Sequence, residues 1–390
     1  MGGEVGHLIK CIECGMEYEP SPIYRCGRCN GLLEIRVRLP DKDVLSSWRA
    51  RDFNVWRYRE LLPVDDYNLI VSMGEGGTRL LNLDRVEESI GKSGFRVFLK
   101  VEGDNPTGSF KDRGMTVGVT KAREFKYKRV ACASTGNTSA SMAAYAARAG
   151  LEPIVFIPRG KIARGKLSQA IAHGATIVEV EGVFDDALRK VLDYVAKNKV
   201  YLLNSINPYR LEGQKTIAYE IFEQLGEVPD YVVVPVGNAG NISAIWKGFK
   251  ELYEMGVINR LPIMVGVQAE GASPLAKAYI EKRSLKPLED PWTIASAIRI
   301  GNPVNWPKAW RAVEESNGFF SIVSDEEIVS AQMRLAREEG TLVEPASASP
   351  LAALLKDPDA FDGNIVLIAT GHGLKDPDAI MKWPYHTATI

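Results

Sequence analysis

Neither sign of charge prevails in this chain: 48 Lys and Arg stand against 49 Asp and Glu, a formal net charge of −1 over 390 residues. No global field draws it to nucleic acid or to an anionic membrane, so any anionic ligand has to be caught by a local site. An uninterrupted apolar run of about 18 residues, the length of a membrane-crossing helix, occurs nowhere. A basic segment followed by an apolar stretch is missing at Met1-Gly2-Gly3-Glu4-Val5-Gly6-His7, and the expected location is the cytoplasm. Repeats and low-complexity tracts are lacking too. So are the G-x-x-x-x-G-K-[ST] loop and the G-x-G-x-x-G fingerprint with a later acid, which weakens any nucleotide-binding reading. Histidine is scarce, at four, with no zinc-protease helix pattern, and no G-x-S-x-G elbow is present to build a serine hydrolase. Disorder is excluded by the 45% hydrophobic and 25% charged content, the balance of a globular protein.

Cysteine is also sparse, yet four of the five form two CxxC pairs, Cys11/Cys14 and Cys26/Cys29; the fifth, Cys132, lies in an apolar run. Without an export signal, paired knuckles favour a structural metal over disulfides. The segment 1–37 is too small to bury a core and reads as a zinc ribbon, a closed four-thiolate Zn²⁺ site whose loss is expected to loosen the N-terminus more than the active site. Further on, short β-branched runs alternate with helical patterns: Arg129–Cys132, Pro153–Ile157, Thr176–Val180, Tyr231–Val234, Ile263–Val267 and Ile365–Ile368. Strands without polar alternation are buried on both faces, as in a parallel sheet covered by helices, so the fold class is α/β.

Three of these strands run into small polar turns, Ser134-Thr135-Gly136-Asn137-Thr138, Gly237-Asn238-Ala239-Gly240-Asn241 and Thr370-Gly371-His372-Gly373. Ligands bind beyond the carboxyl ends of strands in open α/β sheets, so the three loops suggest one shared pocket. Val101 to Arg113 is a fourth: Pro106 and Gly108 force a turn that sets Lys111 at a helix start. A Schiff-base lysine has to be fixed in place and lose its proton readily, and partial burial at the positive end of a helix serves both needs. Taken alone, Lys111 is more simply one more solvated lysine; the company of the other loops changes that. Gly237–Asn241 suits a phosphate cradle made of backbone N–H groups and a helix dipole, against the bland alternative of a tight strand-to-helix turn. Ser134–Thr138 offers hydroxyls, an amide and helix-start N–H groups that suit a carboxylate or a ring oxygen, or else a plain helix cap.

Together these stretches resemble the threonine synthases, members of the fold-type II pyridoxal-phosphate enzymes, over about Ser72 to Asp376. The likeness rests on Ser72–Thr78, the Lys111 loop, Ser134–Thr138, Asn204–Gln214, Gly237–Asn241, Ala297–Pro303, Glu344–Ser347 and Thr370–Lys375, in family order. Departures are modest: Arg79 stands where the family usually has proline, and the stretch after Ser347 diverges. The resemblance implies two open α/β domains similar to the tryptophan synthase β subunit, with the zinc-ribbon-like segment over 1–37, a large pyridoxal-phosphate-binding domain over 38–129 and 204–390, and a small α/β domain over 130–203. It implies an imine between pyridoxal phosphate and Lys111, with Phe110 beside it, Asn137 on the ring hydroxyl, Gly237, Asn238, Ala239, Gly240 and Asn241 on the phosphate, and Thr370 at the pyridine nitrogen. Ser134, Thr135, Asn137 and Thr138 would hold substrate, and Arg210 with Asn204, Ser205 and Thr138 would take its phosphate.

The reaction implied is that of a carbon–oxygen lyase acting on phosphates. O-phospho-L-homoserine and water become L-threonine and phosphate by γ-elimination and β-addition of water, in an enzyme that is commonly a homodimer. Rival readings within the cofactor class are a serine or threonine dehydratase and a phosphoserine-using cysteate synthase. From a different class comes a zinc-ribbon nucleic-acid-binding protein, suggested by Arg25, Arg28, Arg36 and Arg38, which would leave most of the chain unexplained. A bland alternative for Arg210 is a pair with Glu212 or another surface acid.

Overall fold

The unalternating apolar runs become parallel strands, as burial on both faces requires. A computed structural model describes residues 6–160, 164–182 and 184–384. Among the described residues the N-terminal segment forms a small antiparallel sheet from β1 (His7–Cys11), β2 (Glu17–Tyr18) and β3 (Leu33–Val37), in the order β2-β1-β3. Next come β4 (Leu80–Asn82), β5 (Arg96–Val101), β6 (Arg129–Ala133), β7 (Glu152–Pro158), β8 (Thr176–Val180) and β9 (Tyr201–Leu202). The last strands are β10 (Tyr231–Pro235), β11 (Ile263–Ala269), β12 (Phe319–Val323) and β13 (Asn364–Ala369).

A six-stranded sheet runs β12-β11-β10-β13-β5-β4, parallel except for β4, which pairs antiparallel with β5. Apolar clusters cover both of its faces, one with Ile242, Ile245 and Phe249, the other with Ile328, Leu335 and Leu351. The helix carrying Ile328 starts with a capping box, in which the Ser324 hydroxyl accepts from Glu327 N and the Glu327 carboxylate from Ser324 N. The second unit is a parallel four-stranded sheet, β8-β7-β6-β9.

In the large sheet β5, β13 and β10 are neighbours, and Ala369 is in register with Val101. Their carboxyl ends therefore open side by side, feeding residues 102–110, 370–373 and 237–241 into one region. The ends of β6 and β9 add 134–136 and 203–207. Among the described residues no helix is long and apolar enough to cross a membrane.

Candidate active site

The Lys111 loop is tied down along its length. Phe110 N donates to Thr370 O at 3.0 Å, His372 N to Gly108 O at 2.9 Å, and Ser109 forms an antiparallel bridge with Gly371. The buried Asp112 carboxylate accepts from Thr107 N (2.7 Å), the Thr107 hydroxyl (2.6 Å) and the Ser141 hydroxyl (2.5 Å), which pins the turn to the helix Asn137–Ala149. Gly108 takes φ +80°, a conformation that costs an L side chain strain, so the turn needs glycine here. Lys111 then opens the helix Lys111–Glu124, with its Nζ 3.7 Å from the centre of the Phe110 ring. Burial holds its ammonium down to about 7, with the positive charges of Arg210 and Lys375 acting the same way and Glu344 opposing. A large fraction of the amine is thus neutral near neutral pH, the state a nucleophile and proton acceptor requires.

Arg210 reaches this region because two helices come unusually close. A Cβ on Gly118 would meet Arg210 Cγ at 3.1 Å, and one on Gly213 would meet Arg113 O at 1.7 Å, so the Lys111 helix and the helix Pro208–Gln214 touch backbone to backbone. The guanidinium is buried, donates from Nη1 to Leu203 O at 2.9 Å, and keeps Nε without a hydrogen-bond partner. Burial lowers it to about 10. The pairing with Glu212 does not occur: that carboxylate is taken by Lys215 and Lys247. A desolvated guanidinium with an idle donor and no carboxylate partner among the described residues is costly, and an anion would offset the cost.

Gly237–Asn241 follows β10 directly. Ala239 caps the helix Gly240–Glu254 with φ +65°, rare for a residue with a Cβ. Both polar atoms of the Asn241 side chain are buried without a partner, although the residue is only 6% exposed. Imagined Cβ atoms on Gly237 and Gly240 would meet Ile298 Cα and Leu211 Cδ2, each at 3.1 Å, so the loop is pressed between 297–298 and the Arg210 helix. Asn305 joins it to the next loop, donating from N to Asn238 O (3.1 Å) and from Nδ2 to Ser205 O (3.1 Å).

At the opposite end, Asn137 Nδ2 lies 3.1 and 3.0 Å from the two oxygens of the buried Glu344 carboxylate, whose protonation burial favours. The Thr370 and Ser347 hydroxyls are 3.0 Å apart, and Gly371 N donates to Ser347 Oγ at 2.8 Å. Lys375 Nζ donates to Thr107 O (2.6 Å) and, across to the smaller sheet, to Gln169 Oε1 (2.9 Å). Ser134, Thr135, Thr138 and Ser205 are half-buried beside these loops.

Asn204, expected in the substrate-phosphate set, is tied to the strand β6. Its Oδ1 accepts from Ala133 N (2.9 Å) and its Nδ2 donates to Ala133 O (3.0 Å), so the amide clips β6 to the end of β9. Glu344, Ser347, Lys375 and Asp112 are residues to which sequence reasoning gave no role. All four lie inside stretches that resemble the family, but Asn137 for Glu344, Thr370 for Ser347, Thr107 for Lys375 and Ser141 for Asp112 are 23 to 268 positions away. In the ribbon, Cys11 and Cys29 Sγ are 3.5 Å apart, Cys14 and Cys26 Sγ 3.6 Å, and all four sulfurs lie within 4.8 Å of one another. Zn–S bonds of about 2.3 Å put tetrahedral sulfurs about 3.8 Å apart, so the set fits a closed Zn²⁺ site.

A lysine whose ammonium burial holds down to about 7 at a strand-to-helix turn, a small-residue turn with an unpartnered asparagine, the Thr370–Ser347 hydroxyl pair and Asn137 make a donor set that fits pyridoxal phosphate. The family described as pyridoxal-phosphate dependent enzyme matches residues 71–371, and the chain belongs to it. Threonine synthases of Methanocaldococcus jannaschii and Methanosarcina acetivorans are 54% and 51% identical to it over 384 and 381 residues, covering 96% of this chain and 94% and 93% of theirs. That of Synechocystis is 51% identical over 83% of this chain and 84% of its own. Within the pyridoxal-phosphate enzymes the chain is therefore a member of the threonine synthases. Among solved structures, maize serine racemase matches with TM-score 0.68 at 23% identity (88% of this chain, 97% of that one). A threonine deaminase isoform from Solanum lycopersicum matches with 0.67 at 22% (88% and 93%), and both likenesses concern the fold.

Proposed function

We propose that this site converts O-phospho-L-homoserine and water to L-threonine and phosphate, with pyridoxal phosphate carried on Lys111. The observation that carries the reading is Arg210: a buried cation that acts on Lys111 and keeps an idle donor, apart from the Gly237–Asn241 turn to which the cofactor's phosphate is assigned. A second phosphate accounts for it, and a guanidinium's fixed fork of donors suits that group.

When bound, the cofactor supplies the electron sink that makes substrate C–H bonds acidic. Gly237 to Asn241 would hold its phosphate through backbone N–H groups and the Asn241 amide, Phe110 would flank Lys111, Asn137 would meet the ring hydroxyl, and the Thr370–Ser347 hydroxyl pair the ring nitrogen. A hydroxyl there, unlike a carboxylate, does not keep that nitrogen protonated, so more of the proton steering falls to Lys111. Its neutral amine takes protons at the substrate's Cα and then Cβ. Arg210, Asn204, Ser205 and Thr138 would hold the phosphate as it leaves Cγ, Lys111 would return the two protons to Cγ and Cα, and water would place its hydroxyl at Cβ and give its proton to the phosphate. Ser134 and Thr135 face the substrate carboxylate. Asn204 also holds Ala133, and hence Ser134, in place, with a second Nδ2 hydrogen left for the same phosphate.

The relatives' function and the near-neutral Lys111 support this reading. Incubation with O-phosphohomoserine, and separately with phosphoserine, serine and threonine, tests it by product identity. Threonine and phosphate from the first are expected; turnover of phosphoserine or the free amino acids alone would point to a cysteate synthase or a dehydratase instead. The sulfur geometry likewise supports one structural Zn²⁺ on Cys11, Cys14, Cys26 and Cys29, checked by metal analysis of protein purified without chelators. We also carry forward a homodimer, to be read from light scattering.

A further inference from the structure

The ribbon is docked on the active site's own scaffold. Ile9, Cys11, Cys26, Leu33 and Ile35 share one apolar cluster with Tyr209, the residue before Arg210, so two of the four thiols pack in the same core as the Arg210 helix. His7 meets the Tyr209 ring edge-on, 5.8 Å between centres. Three ribbon carbonyls are capped by cations of the main body: Ile35 by Lys247 (2.6 Å), Leu33 by Lys308 (2.6 Å) and Ile12 by Arg311 (3.4 Å). Lys247 also binds Glu212 on the Arg210 helix, and its own helix, Gly240–Glu254, starts in the proposed phosphate cradle.

The ribbon grips the smaller sheet as well. The Tyr24 hydroxyl accepts from Leu202 N at 2.8 Å and its ring leans on Tyr201 at 5.9 Å, while Leu32 packs with Ala131, Val200 and Leu202. Between these two grips run residues 203–207, one of the chain's crossings from the small sheet to the large unit, and Leu203 O in that crossing is the acceptor for Arg210 Nη1.

We propose that the metal-held ribbon is a strap over this crossing, a positioning element that holds Arg210 ready for the phosphate ester of the substrate. The proposal rests on the reading of Arg210 given above. A ribbon this small has too little apolar surface to hold its shape without the metal, so removal of the metal releases the strap. Tyr209 then loses its cover and the crossing its clamp. The cysteines take no part in the chemistry; they act through Tyr209 and Tyr24.

The test uses the cofactor-loaded enzyme in zinc-bound and chelator-treated forms, with Tyr24→Phe and Arg210→Ala beside them. Three quantities are read: the visible absorption of the bound cofactor, the affinity for inorganic phosphate by calorimetry, and amide hydrogen exchange. Metal removal should speed exchange across 203–214 and weaken phosphate binding, each by about tenfold, with the cofactor band and exchange across 364–371 unchanged, and added zinc should restore both. Tyr24→Phe, with zinc retained, should reproduce part of both effects. Unchanged exchange across 203–214 in protein shown to be metal-free would overturn the strap. Equal acceleration across 364–371 with loss of the cofactor band would also overturn it, since the ribbon would then hold up the fold as a whole. Arg210→Ala separates this from the reading beneath it. If Arg210→Ala abolishes phosphate binding while chelation leaves it intact, the strap fails and the assignment of Arg210 stands. If phosphate binding survives Arg210→Ala, the assignment fails, and the strap as a device for substrate fails with it.

Discussion

At the scale of single residues the site is governed by how three charges treat one amine. Arg210 and Lys375 lower Lys111, Glu344 raises it, and burial outweighs them all. Capture of pyridoxal phosphate by the cofactor-free protein should accelerate as pH rises through about 7, far below the ordinary lysine value of 10.5. Stopped-flow absorption would locate the inflection: Arg210→Ala should move it up and Glu344→Gln down, and shifts of the same sign would refute the charge assignment. The same shift sets a stability slope. Below about 7 Lys111 is charged in both folded and unfolded chains and its burial penalty is felt in full; as pH climbs toward 10.5 the folded form alone is neutral and the penalty is relieved. Cofactor-free protein should therefore gain stability across that window, and Lys111→Met should flatten the slope in denaturant titrations. For Arg210→Ala, kcat/KM on O-phosphohomoserine should fall by about a hundredfold or more, because the departing phosphate gains charge in the transition state. Deamination of serine, a side reaction with no phosphate to hold, should be nearly unaffected; a parallel loss on both substrates would make Arg210 merely structural.

Between helices, close approach decides what fits. Gly213 and Gly118 let the Lys111 and Arg210 helices touch, and the imagined Cβ of Gly213 meets backbone, which cannot swing aside. Gly213→Ala should destabilise by about 2–4 kcal/mol, seen as a lower denaturation midpoint. The Cβ of Gly118 meets side-chain atoms, Leu203 Cδ2 at 2.7 Å and Arg210 Cγ at 3.1 Å, which can shift. Gly118→Ala should therefore cost less stability yet raise KM for the phosphorylated substrate; wild-type KM would show that Arg210 tolerates the push.

Across the whole molecule, an apolar cluster of Met115 and Val119 with Met142 and Tyr145 joins the two sheet units, and polar ties add to it: Lys375 to Gln169, Ser141 to Asp112, and Asn137 to Glu344. The ribbon adds Tyr24 on one unit and the cluster around Tyr209 on the other. Gln169→Ala removes one tie outside the chemistry. It should raise KM severalfold for phosphorylated and unphosphorylated substrates alike, since closure of the units serves both; an effect confined to the phosphorylated one would place Lys375 in the phosphate site instead.

Much of this was legible in the sequence wherever the physics is local. A strand, a tight turn and a helix start within about a dozen residues locate Lys111; a run of small residues after β10 suggests a cradle; paired knuckles suggest a metal. The strands and helix starts lie where these patterns put them, because turn geometry and helix capping act over a few residues. Separation along the chain hides the rest. Asn204 looks like a pocket residue at a strand end, and only the pairing of β9 with β6 reveals that its amide also bridges to Ala133. Glu344 acquires meaning from Asn137, 207 positions away. Where the ribbon docks was not legible either: its partners Tyr209, Leu202 and Lys247 come from elements that only packing brings under it. The sequence alone determined the parts and the family, because turns, caps and ligand spacings are short-range. Tertiary structure decided which charges face one another and which strands an amide joins, because burial and electrostatics depend on distance through space.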